Sequence, residues 1–173
     1  MTVTLIILGA VFGWGIWSYN RLVRDRVRVE TGWSDIDVQL KRRHDLIPKL
    51  VEAVKQYASY ESATLEAVAS LRSRHLDPQA SSNSEQAIST DLGKLIALAE
   101  DYPELKADQT FLDLQKNLSH VENHLQYARR YYNGAVRNLN IRIDSFPDTF
   151  IARAFNFSKA VFFEFDPATE TSV

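Results

Sequence analysis

The feature that most constrains this chain is a run without charge at its start. From residue 2 to residue 20 no side chain is ionisable except that of Tyr19. Leu5, Ile6, Ile7, Leu8, Val11, Phe12, Trp14, Ile16 and Trp17 give it an apolar body with small residues between them. At ~1.5 Å per residue such a run reaches about 28 Å as a helix, enough to cross ~30 Å of hydrocarbon with little to spare. Trp14, Trp17 and Tyr19 gather at its C-terminal end, where amphipathic rings favour the headgroup level. A cleaved secretory signal is the rival reading. It calls for a basic leader and a small-residue cleavage site, whereas Thr2-Val3-Thr4 precedes the run and bulky Trp17, Tyr19 and Asn20 follow it. The reading adopted is an uncleaved anchor over residues 1–20 in a lipid bilayer. Gly9 and Gly13 are spaced as a small pair that lets two spans approach closely.

Arg21, Arg24, Arg26 and Arg28 follow the span directly, and no Lys or Arg precedes it. Basic residues stay on the cytoplasmic side, so the expected topology has the N-terminus outside and the rest in the cytoplasm. Asp25 and Glu30 dilute this basic patch, which makes the arginines topology determinants first and headgroup contacts second.

Past residue 30 the apolar positions turn regular. Val29, Trp33, Ile36, Leu40, Ile47, Val51, Val54, Ala58, Leu65 and Val68 step by three and four, with gaps at Arg43/His44 and at Glu61. This spacing predicts a helix packed along a seam. Pro48 removes one of its hydrogen bonds and crowds the carbonyl of His44, so a kink or restart is expected near residues 46–48. Residues 73–90 read as a polar connection and residues 91–100 as a short helix. A second long helix is expected to start at Asp108 or Gln109, with Asp108 as N-cap. Its seam is Phe111, Leu114, Leu118, Val121, Leu125, Ala128, Tyr132, Ala135, Leu139 and Ile143, closed by Phe146, and Pro147 ends it. Residues 147–173 are rich in phenylalanine and are expected to fold back over one end of the bundle. The fold class predicted is all-α: a single transmembrane helix at 1–20, then an antiparallel bundle of three to four helices over 21–146 with the C-terminal segment packed on it.

Chemistry-bearing patterns are few. Lys plus Arg is 20 and Asp plus Glu is 22, a balance that argues against nucleic acid as a partner. There is no cysteine, which excludes thiol nucleophiles, disulfides and Cys-ligated metal. Walker and dinucleotide glycine loops and a Gly-x-Ser-x-Gly elbow are absent. His120 and His124 share a helix face, but the stretch reads His-Val-Glu-Asn-His rather than the zincin His-Glu-x-x-His. Neither a metal nor another cofactor is expected, and the pair reads as solvated rim histidines. Arg42, Arg43, His44, Asp45 and Pro48 form the more informative cluster, because Arg43 and His44 fall where the seam has its gap. Three uses are open to it: a polar layer that fixes register or steadies the kink, a docking surface, and a small-ligand site. A long cation such as Arg43 could take up the His44 carbonyl. Asn133, Arg137 and Asn140, four and three apart, make a polar face that bonds across the bundle or to a partner helix.

Several stretches resemble the LemA family. They are Tyr19-Asn20-Arg21-Leu22-Val23; Trp33-Ser34-Asp35-Ile36-Asp37-Val38 leading to Arg42-Arg43-His44-Asp45-Leu46-Ile47-Pro48; Ala97-Leu98-Ala99-Glu100 with Tyr102-Pro103; Ala128-Arg129-Arg130-Tyr131-Tyr132-Asn133; and Phe146-Pro147 with Ile151-Ala152. The resemblance runs through nearly the whole chain in order. Lys49 departs from it, since the family commonly has Asn after the proline. It implies a bacterial inner-membrane protein with one span and a helical bundle, and it implies no reaction. The function expected is therefore a non-catalytic interaction or scaffold module that meets itself or another membrane protein. Two alternatives stand beside it: an adaptor regulating a membrane protease or envelope-stress pathway, and a metal protein or enzyme using His44, His120 and His124.

Overall fold

The computed structural model describes residues 1–57, 82–99 and 102–163. Every regular element among them is a helix: α1 (Thr2–Tyr57), α2 (Ser82–Ala99), α3 (Pro103–Ala107), α4 (Gln109–Asp144) and α5 (Asp148–Ala154). The chain forms two compact units, one from Met1–Ile36 with Tyr127–Phe163 and one from Asp37–Gln126. The boundaries cut α1 and α4.

Four expectations are corrected. Of the kink or restart expected near Pro48, the restart is excluded, because α1 runs on to Tyr57 with Pro48 inside it; an exposed proline costs one hydrogen bond, which the packing of Ile47 and Leu50 on either side outweighs. The polar connection does not extend to residue 90, because α2 already begins at Ser82. Serine and asparagine there lower intrinsic helicity by only tenths of a kcal/mol each, about what burial of Ile88 and Leu92 readily offsets. Phe146 does not close the α4 seam, since it is 80% exposed. Trp33 is also exposed rather than in the seam. Ala58, Glu61, Leu65, Val68 and residues 73–81 lie outside the described residues.

In the first unit α1 and α4 run antiparallel, as the contacts Ser18–Asp148 and Asp25–Arg142 and the close approach of Gly32 to Tyr132 show. The buried stripe of α1 here is Ser18, Leu22, Asp25, Val29, Gly32 and Ile36, a three-four rhythm that starts before Val29 and includes polar and small residues. A Cβ on Gly32 would stand 3.1 Å from Tyr132 Cα, so the helix backbones meet here with no room for a side chain. Facing it are Ala128, Tyr132, Ala135, Val136, Leu139 and Ile143 of α4.

Residues 157–163 follow α5 and are not helical. Two asparagines of α4 hold them. Asn140 Nδ2 donates to Ala160 O (2.9 Å) and Asn140 Oδ1 accepts from Ala160 N (2.9 Å). Asn133 does the same with Phe163 O (3.1 Å) and Phe163 N (2.8 Å). Each amide acts as a neighbouring strand would, offering one donor and one acceptor. Seven residues of helix and three of extended chain both span about 10 Å, so the two clamps fall in register. Between them Tyr132 Oη donates to Val161 O at 2.8 Å.

In the second unit Ile47, Leu50, Val51 and Val54 of α1, Ile88, Leu92 and Leu95 of α2, Leu105 of α3, and Phe111 and Leu118 of α4 form one core. Asp108 caps α4 as its sequence position suggests, accepting from Phe111 N at 2.9 Å.

Replacing Asn133 or Asn140 by alanine is expected to cost about 1–3 kcal/mol, because each change leaves a backbone donor and acceptor without partners. Hydrogen exchange at Ala160 and Phe163 checks it, with faster exchange expected at the amide beside the altered residue. Burial raises the Tyr132 phenol above its usual value. That contribution to stability is full below about pH 10, the unfolded value, and fades as pH rises beyond it. Tyr132→Phe should therefore flatten the alkaline loss of melting temperature above that pH.

Candidate functional site

Two regions gather the polar residues, one in each unit. The first is where α1 leaves its apolar run. Leu5, Ile6, Ile7, Leu8, Val11, Phe12, Ile16 and Trp17 are all exposed, and Trp14 is half-buried. At Ser18 the environment changes. Ser18 is buried and its Oγ donates to Asp148 Oδ1 of α5 at 2.7 Å. Asp25, two turns on, is 2% exposed. Its carboxylate accepts from Arg142 Nε at 2.5 Å on one oxygen and from Arg28 Nη1 at 3.0 Å on the other. Arg142 Nη1 also reaches Asp148 Oδ2 at 3.4 Å. Two carboxylates and two guanidiniums thus close a neutral network that fastens α5 and the end of α4 to α1.

The four juxtamembrane arginines have separate surroundings. Arg21 lies over the Trp17 ring at 4.9 Å and Arg26 over Phe157 at 5.6 Å. Arg26 also approaches Glu30 at 3.7 Å, and Arg28 belongs to the Asp25 network. Arg24 is exposed.

The second region is the Arg42–Pro48 cluster, and the structure splits it. Arg43 is 1% exposed, at a seam position four before Ile47. Its Nη2 donates to Ser89 Oγ of α2 at 2.5 Å and lies 3.7 Å from Glu122 Oε2 of α4. The guanidinium therefore joins three helices. Arg42, Asp45 and Pro48 are exposed, and His44 is half-buried. Arg42 and Asp45 line an open groove with Gln39 of α1 and with Asp113, Lys116 and His120 of α4. The His120 and His124 rings stack at 6.5 Å on its α4 side. No group of three or more His, Cys, Asp or Glu that would hold a metal is found among the described residues.

Asn133 and Asn140 lie in the first unit, apart from the Arg42–Pro48 cluster, and serve as the clamps described above. Arg137 is exposed and takes no part in them. Sequence reasoning missed Ser18, Asp25, Gly32, Ser89, Glu122, Arg142 and Asp148. For α1 a signal existed: stepping back by threes and fours from Ile36 lands on Gly32, Val29, Asp25, Leu22 and Ser18. A search for apolar residues passes over three of these five.

A sequence profile of the LemA family matches residues 32–173. The chain belongs to the LemA family. Protein LemA of Metamycoplasma hominis is 26% identical over 149 residues, covering 84% of this chain and 68% of that protein. Magnetosome protein MamQ 2 of Paramagnetospirillum magneticum is 20% identical over 202 aligned positions, covering 100% of this chain and 74% of that protein. Magnetosome protein MamQ of Magnetospirillum gryphiswaldense is 19% identical over 187, covering 91% and 69%. Among the described residues, one helix of this LemA-family chain, near its N-terminus, is long and apolar enough to cross a membrane.

Removing one partner of a buried ion pair strands the other charge. Arg142→Met leaves the buried Asp25 carboxylate with Arg28 alone and should cost about 3–5 kcal/mol, and adding Asp25→Leu should recover part of it, since Asp148 then keeps only Ser18. Glu122 is a third exposed, so Glu122→Gln should cost at most about 1 kcal/mol. Arg43→Ala empties a packed position and should cost about 2–4 kcal/mol, with Arg43→Met recovering most of that. Thermal melts of each variant in one detergent check these rankings.

Proposed function

We propose that this LemA-family protein is a membrane-anchored, non-catalytic docking module. α1 crosses the bacterial inner membrane with its N-terminus outside. The helices that follow stand in the cytoplasm and meet another membrane protein or a second copy. One observation carries the reading: α1 is continuous from a segment whose apolar side chains are nearly all exposed to a segment packed against other helices. Water makes the first half costly, at about 25 cal/mol per Å² of apolar surface, and lipid removes that cost. A cleavage after the apolar run would sever α1 near Ser18, which binds α5.

The docking face is the groove lined by Arg42, Asp45, Lys116 and His120. It is open and carries both signs of charge, which suits recognition of a complementary protein surface. The names of the relatives above state no catalytic activity.

The chain contains no cysteine, so every introduced cysteine reports alone. In intact cells stripped of their outer barrier, an impermeant thiol reagent should label Thr2→Cys and leave Arg137→Cys unlabelled until the inner membrane is opened. The reverse pattern overturns the topology. Photo-crosslinking at native expression should then capture one stoichiometric neighbour from position 42, which is exposed, and none from position 43, which is buried. A strict monomer with no neighbour overturns the docking role.

A further inference from the structure

The phenylalanines that surround α5 are exposed. Phe146 is 80% exposed, Phe150 62% and Phe155 59%. They are nevertheless held in place. Phe146 and Phe150 form an edge-on pair with centroids 5.9 Å apart, and Phe155 packs at 4.8 Å on Tyr19. α5 itself is tied to α1 at a defined height. Asp148 accepts from Ser18, and Ile151 Cδ1 lies 3.8 Å from where a Cβ on Gly15 would stand. Gly15 is five residues inside the end of the uncharged run, about 8 Å along the helix axis.

We propose that residues 146–155 form a second, monotopic membrane contact beside the span, with Phe146, Phe150 and Phe155 inserted at the boundary between headgroups and acyl chains. The inference rests on reading α1 as a membrane span. Three observations select lipid as the occupant. The first is height: an interfacial helix sits about 5–10 Å into the boundary, and the Gly15 contact puts α5 at that depth. The second is charge. Both carboxylates of residues 140–163 are matched by cations, Asp148 by Arg142 at 3.4 Å and Asp144 by Lys159 at 2.7 Å. An unmatched carboxylate at that level would be repelled by anionic lipids and costly to desolvate. The third is composition. Arg21 lies over the Trp17 ring, and α5 carries exposed Arg153 between Phe150 and Phe155 in sequence, so cations and aromatic rings occur together here, as headgroup and acyl surfaces favour.

The Asp25–Arg142–Asp148 network then has a second consequence. It fixes the angle at which α5 meets the bilayer, so the span and the aromatic loop form one rigid two-point attachment. Such an attachment resists tilt about the span, which a single helix does not.

Spin labels on single cysteines test this in the full chain, reconstituted in vesicles of phosphatidylethanolamine and phosphatidylglycerol. The sites are Phe146→Cys, Phe150→Cys and Phe155→Cys, with Val11→Cys as span reference and Arg137→Cys as aqueous reference. The ratio of accessibility to oxygen over a water-soluble nickel complex reads depth. The expected result is a ratio at positions 146 and 150 several-fold above that at 137, approaching that at 11. If position 11 reads as lipid while 146, 150 and 155 read as water, the second contact is overturned and the span stands. If position 11 also reads as water, both readings fall. Shielding of 146 and 150 from both reagents means burial in protein and overturns the lipid contact as well.

Discussion

Asp25 is a carboxylate in a helix seam, and the first unit is arranged around it. A charge at 2% exposure is tolerable only when its lone pairs are taken up. Arg142 and Arg28 take them up, and Arg142 shares its second amine with Asp148. That chain of contacts decides where α4 stops beside α1, where α5 begins, and which face α5 turns outward. Aliphatic residues at the same places would permit several registers. A guanidinium that donates from Nε to Asp25 and from Nη1 to Asp148 permits one.

The second unit solves a similar problem with Arg43. Its guanidinium occupies a position that the heptad assigns to a leucine, and it draws Ser89 of α2 and Glu122 of α4 to the same point. Hydrophobic contacts supply most of the stability there, through Ile47, Leu50, Val54 and their neighbours. The arginine supplies selection, because Ser89 and Glu122 must stand at one level for its nitrogens to be satisfied. The asparagine clamps of α4 work by the same logic on the non-helical segment 157–163.

These devices leave other surfaces exposed. The apolar residues of α1 before Ser18 are nearly all exposed, the groove carries Arg42, Asp45 and Lys116, and the Phe146, Phe150 and Phe155 rings stand exposed around α5. Polar groups that hold helices together are turned inward, and the others are turned out. Arg42 and Arg43, adjacent in sequence, fall on opposite sides of this division because a helix rotates about 100° per residue.

The sequence by itself determined the helical class, the apolar run, the N-cap at Asp108 and nearly all of the α4 seam. These depend on local spacing and hydrophobicity, which a linear chain displays. It also indicated that Asn133 and Asn140 share a face, though not that they hold residues 160 and 163. The passage of α1 through Pro48 and the start of α2 at Ser82 depended on burial, which outweighs local propensity. Spacing puts Ser18, Asp25, Gly32 and Arg43 in step with the seam, and tertiary structure decided that they are buried in it. A polar or small residue is admitted to a buried stripe only when a particular partner stands opposite, and that partner is far along the chain. Asp25 reads as a surface charge until Arg142, 117 residues away, is brought to it.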